Sequence, residues 1–183
     1  MRFYLFALTL MGYLTSGMAE EHTPIDETNL NDFSVYGHIE KVALIPGDIE
    51  IKARLDTGAS RSSLNAQDIE LVGTKKRRLV RFVFDDRNGN QYPMTLPLVE
   101  KVAIKQASGK QVRYVVEMGL CVGGHYKKNH FTLADRSRMT YPVLVGRNFL
   151  RDEVLVSSNH KFISEPNCEL GNTGILDEAQ ITS

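Results

Sequence analysis

Tryptophan is absent from the 183 residues, and neither sign of charge is in excess: 22 Lys and Arg stand against 22 Asp and Glu. A balanced chain has no bulk field to draw it to nucleic acid or an anionic membrane, so neither is expected as a partner. Beyond the N-terminus no run of about 18 apolar residues occurs, so no spanning helix is expected in the body of the chain. There is no His-Glu-x-x-His, and no Gly-x-x-x-x-Gly-Lys-Ser/Thr loop to cradle a phosphate. No cofactor is expected. Cysteine occurs twice, as Cys121 and Cys168. One bridge would tie the tail to the body; the alternative is two free thiols. What is present, 42% hydrophobic and 24% charged residues, is ordinary for one soluble domain with extensions.

The N-terminus is patterned. Met1-Arg2 is a short positive start, Phe3 to Leu14 is largely apolar, and Ser16-Gly17-Met18-Ala19 offers small residues. This is the pattern of a secretory signal peptide over residues 1–19, cut after Ala19. It predicts a periplasmic or secreted protein with no stable membrane insertion after cleavage. A retained anchor is the other reading, but about 12 apolar residues are short for a span. Residues 20–33 are polar and acidic and read as a flexible lead-in; residues 166–183 read as a second tail. The domain is expected between them, over 34–165.

Within 34–165 the signals are those of strands. Ser34 to Ile45 is rich in apolar residues, Pro46-Gly47 turns the chain, and Ile49 to Leu55 alternates up to Asp56. Arg78 to Phe84 is a further strand, and Asn88-Gly89 marks a hairpin turn and a candidate flap over Asp85–Gln91. Leu96–Ile104 and Gln111–Glu117 flank Ser108-Gly109 as a second hairpin. Tyr126–Leu133 and Val154–Ile163 complete the set. Two stretches, Asn65–Leu71 and Arg147–Arg151, are expected to be short helices. The run Lys75-Lys76-Arg77-Arg78 reads as the solvated start of a strand. Short strands joined by turns predict an all-β sandwich or barrel.

Chemistry concentrates in Leu55-Asp56-Thr57-Gly58-Ala59-Ser60. A carboxylate at the tip of a tight loop after a strand can be aimed at a substrate carbonyl, and Gly58 leaves room for close approach. The Thr57 hydroxyl and neighbouring amides are expected to orient the acid. The plainer reading is that Asp56 caps a turn. A second signal stands beside the first: Pro142-Val143-Leu144-Val145-Gly146-Arg147, an apolar run ending in Gly, lies about one lobe further along the chain. Cys121, His125 and His130 form the nearest candidate metal cluster; their spacing suits no common structural zinc site, and Gly123-Gly124 reads as a turn between them. No metal site is expected.

Leu55-Asp56-Thr57-Gly58-Ala59 with Leu144-Val145-Gly146 resembles the lobe of a retropepsin-type aspartic peptidase. More narrowly, Ile51 to Ala66, Val102 to Gly109 and Leu133 to Arg147 resemble the bacterial family labelled ATP-dependent zinc proteases. The resemblance covers about residues 35 to 163 and implies a single-lobe, retropepsin-like closed β-barrel with one or two short helices. It places catalytic residues at Asp56, Thr57 and Gly58, and substrate-binding residues at Arg61, Arg136 and Arg147. Where family members often carry Arg-Thr-Ser after Asp-Thr-Gly-Ala, this chain has Ser60-Arg61-Ser62. Arg136, Arg138 and Arg147 could bind a substrate carboxylate; alternatively Asp135 with Arg136 or Arg147 could form a buried structural pair. Tyr92 and Tyr141 are expected to pack rather than to react.

One Asp-Thr-Gly in a chain too short for two lobes implies a homodimer, with Asp56 of each copy meeting at the two-fold axis. Two close carboxylates cannot both ionise, so one acts as general base on a water while the other donates to the scissile carbonyl. The expected partner is a peptide or protein substrate, and an acidic one would suit the arginines. The same lobe kept monomeric would instead be a non-catalytic peptide- or partner-binding module; a metallopeptidase is the third reading.

Overall fold

The computed structural model describes residues 31–106 and 109–168. The signal-peptide expectation, most of the lead-in, Ser108 and residues 169–183 lie outside the described residues. Nine strands and one short helix are described: β1 (Ser34–Ile45), β2 (Ile49–Leu55), β3 (Ser62–Gly73), β4 (Arg78–Asp85), β5 (Gln91–Gln106), β6 (Gly109–Val122), β7 (His125–Ala134), β8 (Val143–Val145), α1 (Arg147–Leu150) and β9 (Val154–Lys161).

The strands form one sheet ordered β4-β5-β6-β7-β3-β8-β2-β1-β9, which closes on itself through the added pairings β4–β3 and β6–β1. Closure removes most free strand edges, as the all-β closed barrel expected from the sequence requires. Alternation decides which face is inside. β2 buries Ile49, Ile51, Ala53 and Leu55 and exposes Glu50, Lys52 and Arg54. Leu44, Leu64, Phe82, Phe84, Met118, Phe131, Val145 and Phe149 complete a core with almost no solvent contact. Each such large apolar side chain contributes about 1.5–3 kcal/mol by leaving water.

One expected element is overturned. Asn65–Leu71 is not a helix but part of β3, paired with β4 from Ala66↔Phe84 to Gly73↔Arg78. Ala66, Gln67, Glu70 and Leu71 are good helix formers, but cross-strand pairing outweighs propensity. The register slips between Gln67 and Glu70, where Asp68 has φ +49°, a bulge that bends the strand. The second expected helix is α1, which buries Phe149 and Leu150. No helix among the described residues is long and apolar enough to cross a membrane.

Cys121 and Cys168 are bridged, with Cα atoms 5.9 Å apart. The start of the expected tail is therefore fastened: Asn167 donates its amide to Gly123 O at 2.9 Å, and just before it Lys41 meets Glu165 at 3.0 Å.

Candidate active site

β2 delivers Asp56. Since Lys52 and Arg54 face outward, the chain leaves the strand with the Asp56 side chain on the polar side, 30% exposed. The Asp56 amide donates to Val145 O at 2.9 Å, continuing the parallel β2–β8 pairing. The Gly58 amide donates to Asp56 Oδ1 at 2.9 Å, and the Ala59 amide reaches Asp56 O at 3.2 Å. These bonds hold the carboxylate at the tip of a tight turn. Among the described residues no hydrogen bond joins the Thr57 hydroxyl to Asp56; the amide does that work.

The junction of β8 and α1 braces the turn from below. A Cβ at Gly146 would lie 2.6 Å from the Arg61 carbonyl and 2.9 Å from Ala59 O, so only glycine permits this approach. The Arg147 amide donates to Ala59 O at 2.8 Å, and its guanidinium Nη1 donates to Thr57 O and Gly58 O at 2.9 and 3.0 Å. Asn148 Oδ1 accepts from the Ser62 amide and hydroxyl at 2.9 and 2.8 Å, while its Nδ2 donates to Asn129 Oδ1 and His130 O. Ser62 Oγ, fully buried, in turn accepts the Gly146 amide at 3.0 Å. Three consecutive residues, Gly146, Arg147 and Asn148, thus grip the loop that carries Asp56.

Asp56 opens onto a recess of about 320 Å³ lined by Arg54, Arg136, Met139, Thr140 and Tyr141. Arg54 Nε lies 3.9 Å from Asp56 Oδ2. Arg136 is fixed by bonds from Nη1 to Ser63 Oγ at 2.8 Å and from Nε to Tyr141 O at 3.2 Å. Burial holds its guanidinium below the usual range, with Arg113 and Arg54 pushing the same way and Asp56 opposing them. It remains a cation at any physiological pH. The candidate flap stands alongside: Arg87, at its tip, donates to Arg136 O and Met139 O. A second recess of about 420 Å³, lined by Lys52, Arg87, Lys161 and Phe162, shares Thr140 and Tyr141 with the first.

Of the other expected site residues, Arg61 is paired with Glu100 and does not line the Asp56 recess. Arg147 spends its guanidinium on the loop carbonyls. Asp135 forms no buried pair with Arg136 or Arg147; it is exposed and accepts the Ser137 amide at 2.8 Å, and the Ser137 hydroxyl, then that amide, hold its carboxyl below the usual range. Cys121, His125 and His130 go to separate partners: the disulfide, the Ser34–Glu153 pair, and Glu117. Tyr92 stacks on Phe84. The sequence reading missed Arg54 and Asn148. Arg54 was within reach, since two-residue alternation puts it on the face of Asp56; Asn148 acts only through tertiary contacts.

A closed all-β lobe with one Asp-Thr-Gly turn, braced by an apolar strand ending in glycine, defines a retropepsin-like lobe. The chain belongs to the RimB-like family: residues 35–167 match the family model described as retropepsin-like aspartic endopeptidase RimB. Among curated proteins it is similar to probable alpha-L-glutamate ligases. That of Shewanella pealeana is 29% identical over 135 residues, covering 72% of this chain and 28% of the ligase. That of Parasynechococcus marenigrum is 31% identical over 110 residues, covering 58% and 24%. The chain spans about a quarter of the length of these relatives. A crystal structure of a Legionella pneumophila protein of unknown function (DUF785) superposes with a TM-score of 0.63 at 28% identity, covering 72% of this chain and 98% of that one.

Proposed function

We propose that the protein is an exported aspartic peptidase that hydrolyses peptide or isopeptide-like amide bonds, using Asp56 from each of two copies paired on a two-fold axis. The observation that carries this reading is an outward carboxylate held in a braced turn with no second acid among its bonded partners in the described chain. A two-fold axis through the turn supplies the missing acid. One Asp56 carboxylate takes a proton from the attacking water while its protonated twin donates to the carbonyl, and the departing amine takes up a proton. The Cys121–Cys168 bridge fits an oxidising compartment, in keeping with the N-terminal signal pattern.

Arg54 and Arg136 flank Asp56 with fixed positive charge, which suits a substrate bearing carboxylates. The similarity to proteins named as glutamate ligases supports the same class, an acidic, glutamate-rich peptide. Incubation with a glutamate-rich peptide and a neutral peptide of equal length, read by mass spectrometry, tests this. The acidic peptide is expected to be cut, and cutting to vanish in Asp56→Asn. Equal hydrolysis by that variant overturns the assignment.

The 3.9 Å Arg54 contact also suits a monomer that binds acidic peptides without cutting them. Tight binding by a protein that stays monomeric and leaves the peptide intact would favour that reading.

A further inference from the structure

Outside the Asp56 recess, three side chains that the peptidase reading does not use line up as nucleophile, base and acid. Ser34 opens β1, His125 opens β7, and Glu153 stands just before β9. Ser34 Oγ lies 2.8 Å from His125 Nε2, and His125 Nδ1 lies 3.2 Å from Glu153 Oε2. The backbone fixes the ends, because the Ser34 amide donates to Glu153 O at 2.9 Å.

Hydrogen-bond direction follows from the chemistry of the groups. Lys127 Nζ, 3.0 Å from Glu153 Oε1, and His125 together hold the Glu153 carboxyl below its usual range. An ionised carboxylate only accepts, so His125 Nδ1 must carry the proton. In the neutral ring Nε2 is then the acceptor, and Ser34 Oγ–H is its donor. The ring is also held in place: Tyr36 packs edge-on against it, with centroids 5.9 Å apart. Gly123, at φ +54°, makes room for Tyr36, since a Cβ there would lie 2.5 Å from the phenol oxygen. Burial pushes the Tyr36 phenol up, so it keeps its O–H. His125 and Glu153 keep 27% and 42% of their side-chain surface, so the group is open to solvent.

We propose that Ser34, His125 and Glu153 form a second, serine-type site that accepts an acyl group from an ester. Ser34 Oγ attacks the ester carbonyl, and its proton passes to His125 Nε2. The C–O bond to the alcohol breaks, the alcohol leaves with that proton, and the acyl group rests on Ser34. Water, deprotonated by the same ring, then releases the acid. Glu153 touches no substrate and is a positioning residue: it sets the tautomer of His125 and stabilises the imidazolium.

The full chain, with its disulfide intact, is treated with a fluorophosphonate and with p-nitrophenyl acetate, and adducts are located by peptide mass spectrometry. The adduct is expected on Ser34. His125→Asn should lower the rate about 100-fold or more. Glu153→Gln should lower the labelling rate about 10-fold, and Glu153→Asp, which keeps the carboxylate, should restore part of it. A purely structural role for Glu153 would leave the labelling rate of folded Glu153→Gln unchanged. Thermal melts of each variant, with folding retained, accompany the rates. Absence of an adduct on Ser34 in the folded wild-type protein overturns the proposal, and so does an equal rate in folded His125→Asn.

Discussion

Glu40 in β1 and Asp56 at the end of the adjacent β2 are both carboxylates, and the fold surrounds them differently. Glu40 has none of its surface exposed; Oε1 accepts the amides of Gly37 at 2.6 Å and Ile163 at 3.2 Å, and Oε2 accepts the Ser164 amide and hydroxyl, both at 3.1 Å. Asp56 accepts one amide, lies 3.9 Å from Arg54 and opens onto a recess that Arg136 also lines. A carboxylate whose lone pairs are filled by the protein cannot serve a substrate; one held on a single side can. Glu40 stitches the segment after β9 to the barrel, whereas Asp56 is braced mainly through the backbone around it and keeps Oδ2 without a hydrogen bond among the described residues.

The contrast can be broken at either end. The largest effect is expected for Asp56→Asn: hydrolysis falls by about 10²–10⁴-fold, measured as kcat/KM, while the thermal midpoint stays put. Glu40→Ala should do the reverse, costing about 3–5 kcal/mol in denaturant melts because buried amide donors lose their acceptor, with residual activity tracking the folded fraction. Reducing the Cys121–Cys168 bridge, or replacing both cysteines by serine, should cost about 2–4 kcal/mol, since the 47-residue separation no longer restrains the unfolded chain. Arg147→Ala sharpens the comparison further. It removes two bonds to the Thr57 and Gly58 carbonyls, so kcat is expected to drop about 10–100-fold with little change in KM.

The smallest effect concerns pH and the hairpin. Burial works to raise the Asp86 carboxyl, but bonds from Asn90 and Asn88 outweigh it and hold the group below its usual range. A depressed carboxyl contributes stability that is complete above the ordinary carboxylate range and is lost as pH falls through the lowered value. Asp86→Asn should therefore lower stability at neutral pH and flatten the acid limb of the stability curve, read by melts between about pH 2 and 7.

Much of the barrel is legible along the chain because its strands alternate: Ile49–Leu55 and Arg78–Asp85 announce their inward faces residue by residue. The Asp56 turn and the Val143–Val145 strand beneath it are legible for the same reason, a local pattern ending in glycine. Asn65–Leu71 misleads because its residues favour a helix and only the distant β4 makes it a strand. Arg147 reads as a hand for the substrate until the folded chain brings Thr57 and Gly58 carbonyls to it. The Ser34–His125–Glu153 alignment carries no local signal, since its members come from three separate strand ends.

Mixing wild-type protein with Asp56→Asn under subunit exchange, and following hydrolysis of a glutamate-rich peptide at constant total protein, tests the shared-acid claim most directly. If each site needs an Asp56 from both copies, activity falls as the square of the wild-type fraction, to about a quarter at an equal mixture. Activity that falls only in proportion, to about a half, would mean that a single Asp56 suffices, and would contradict the account.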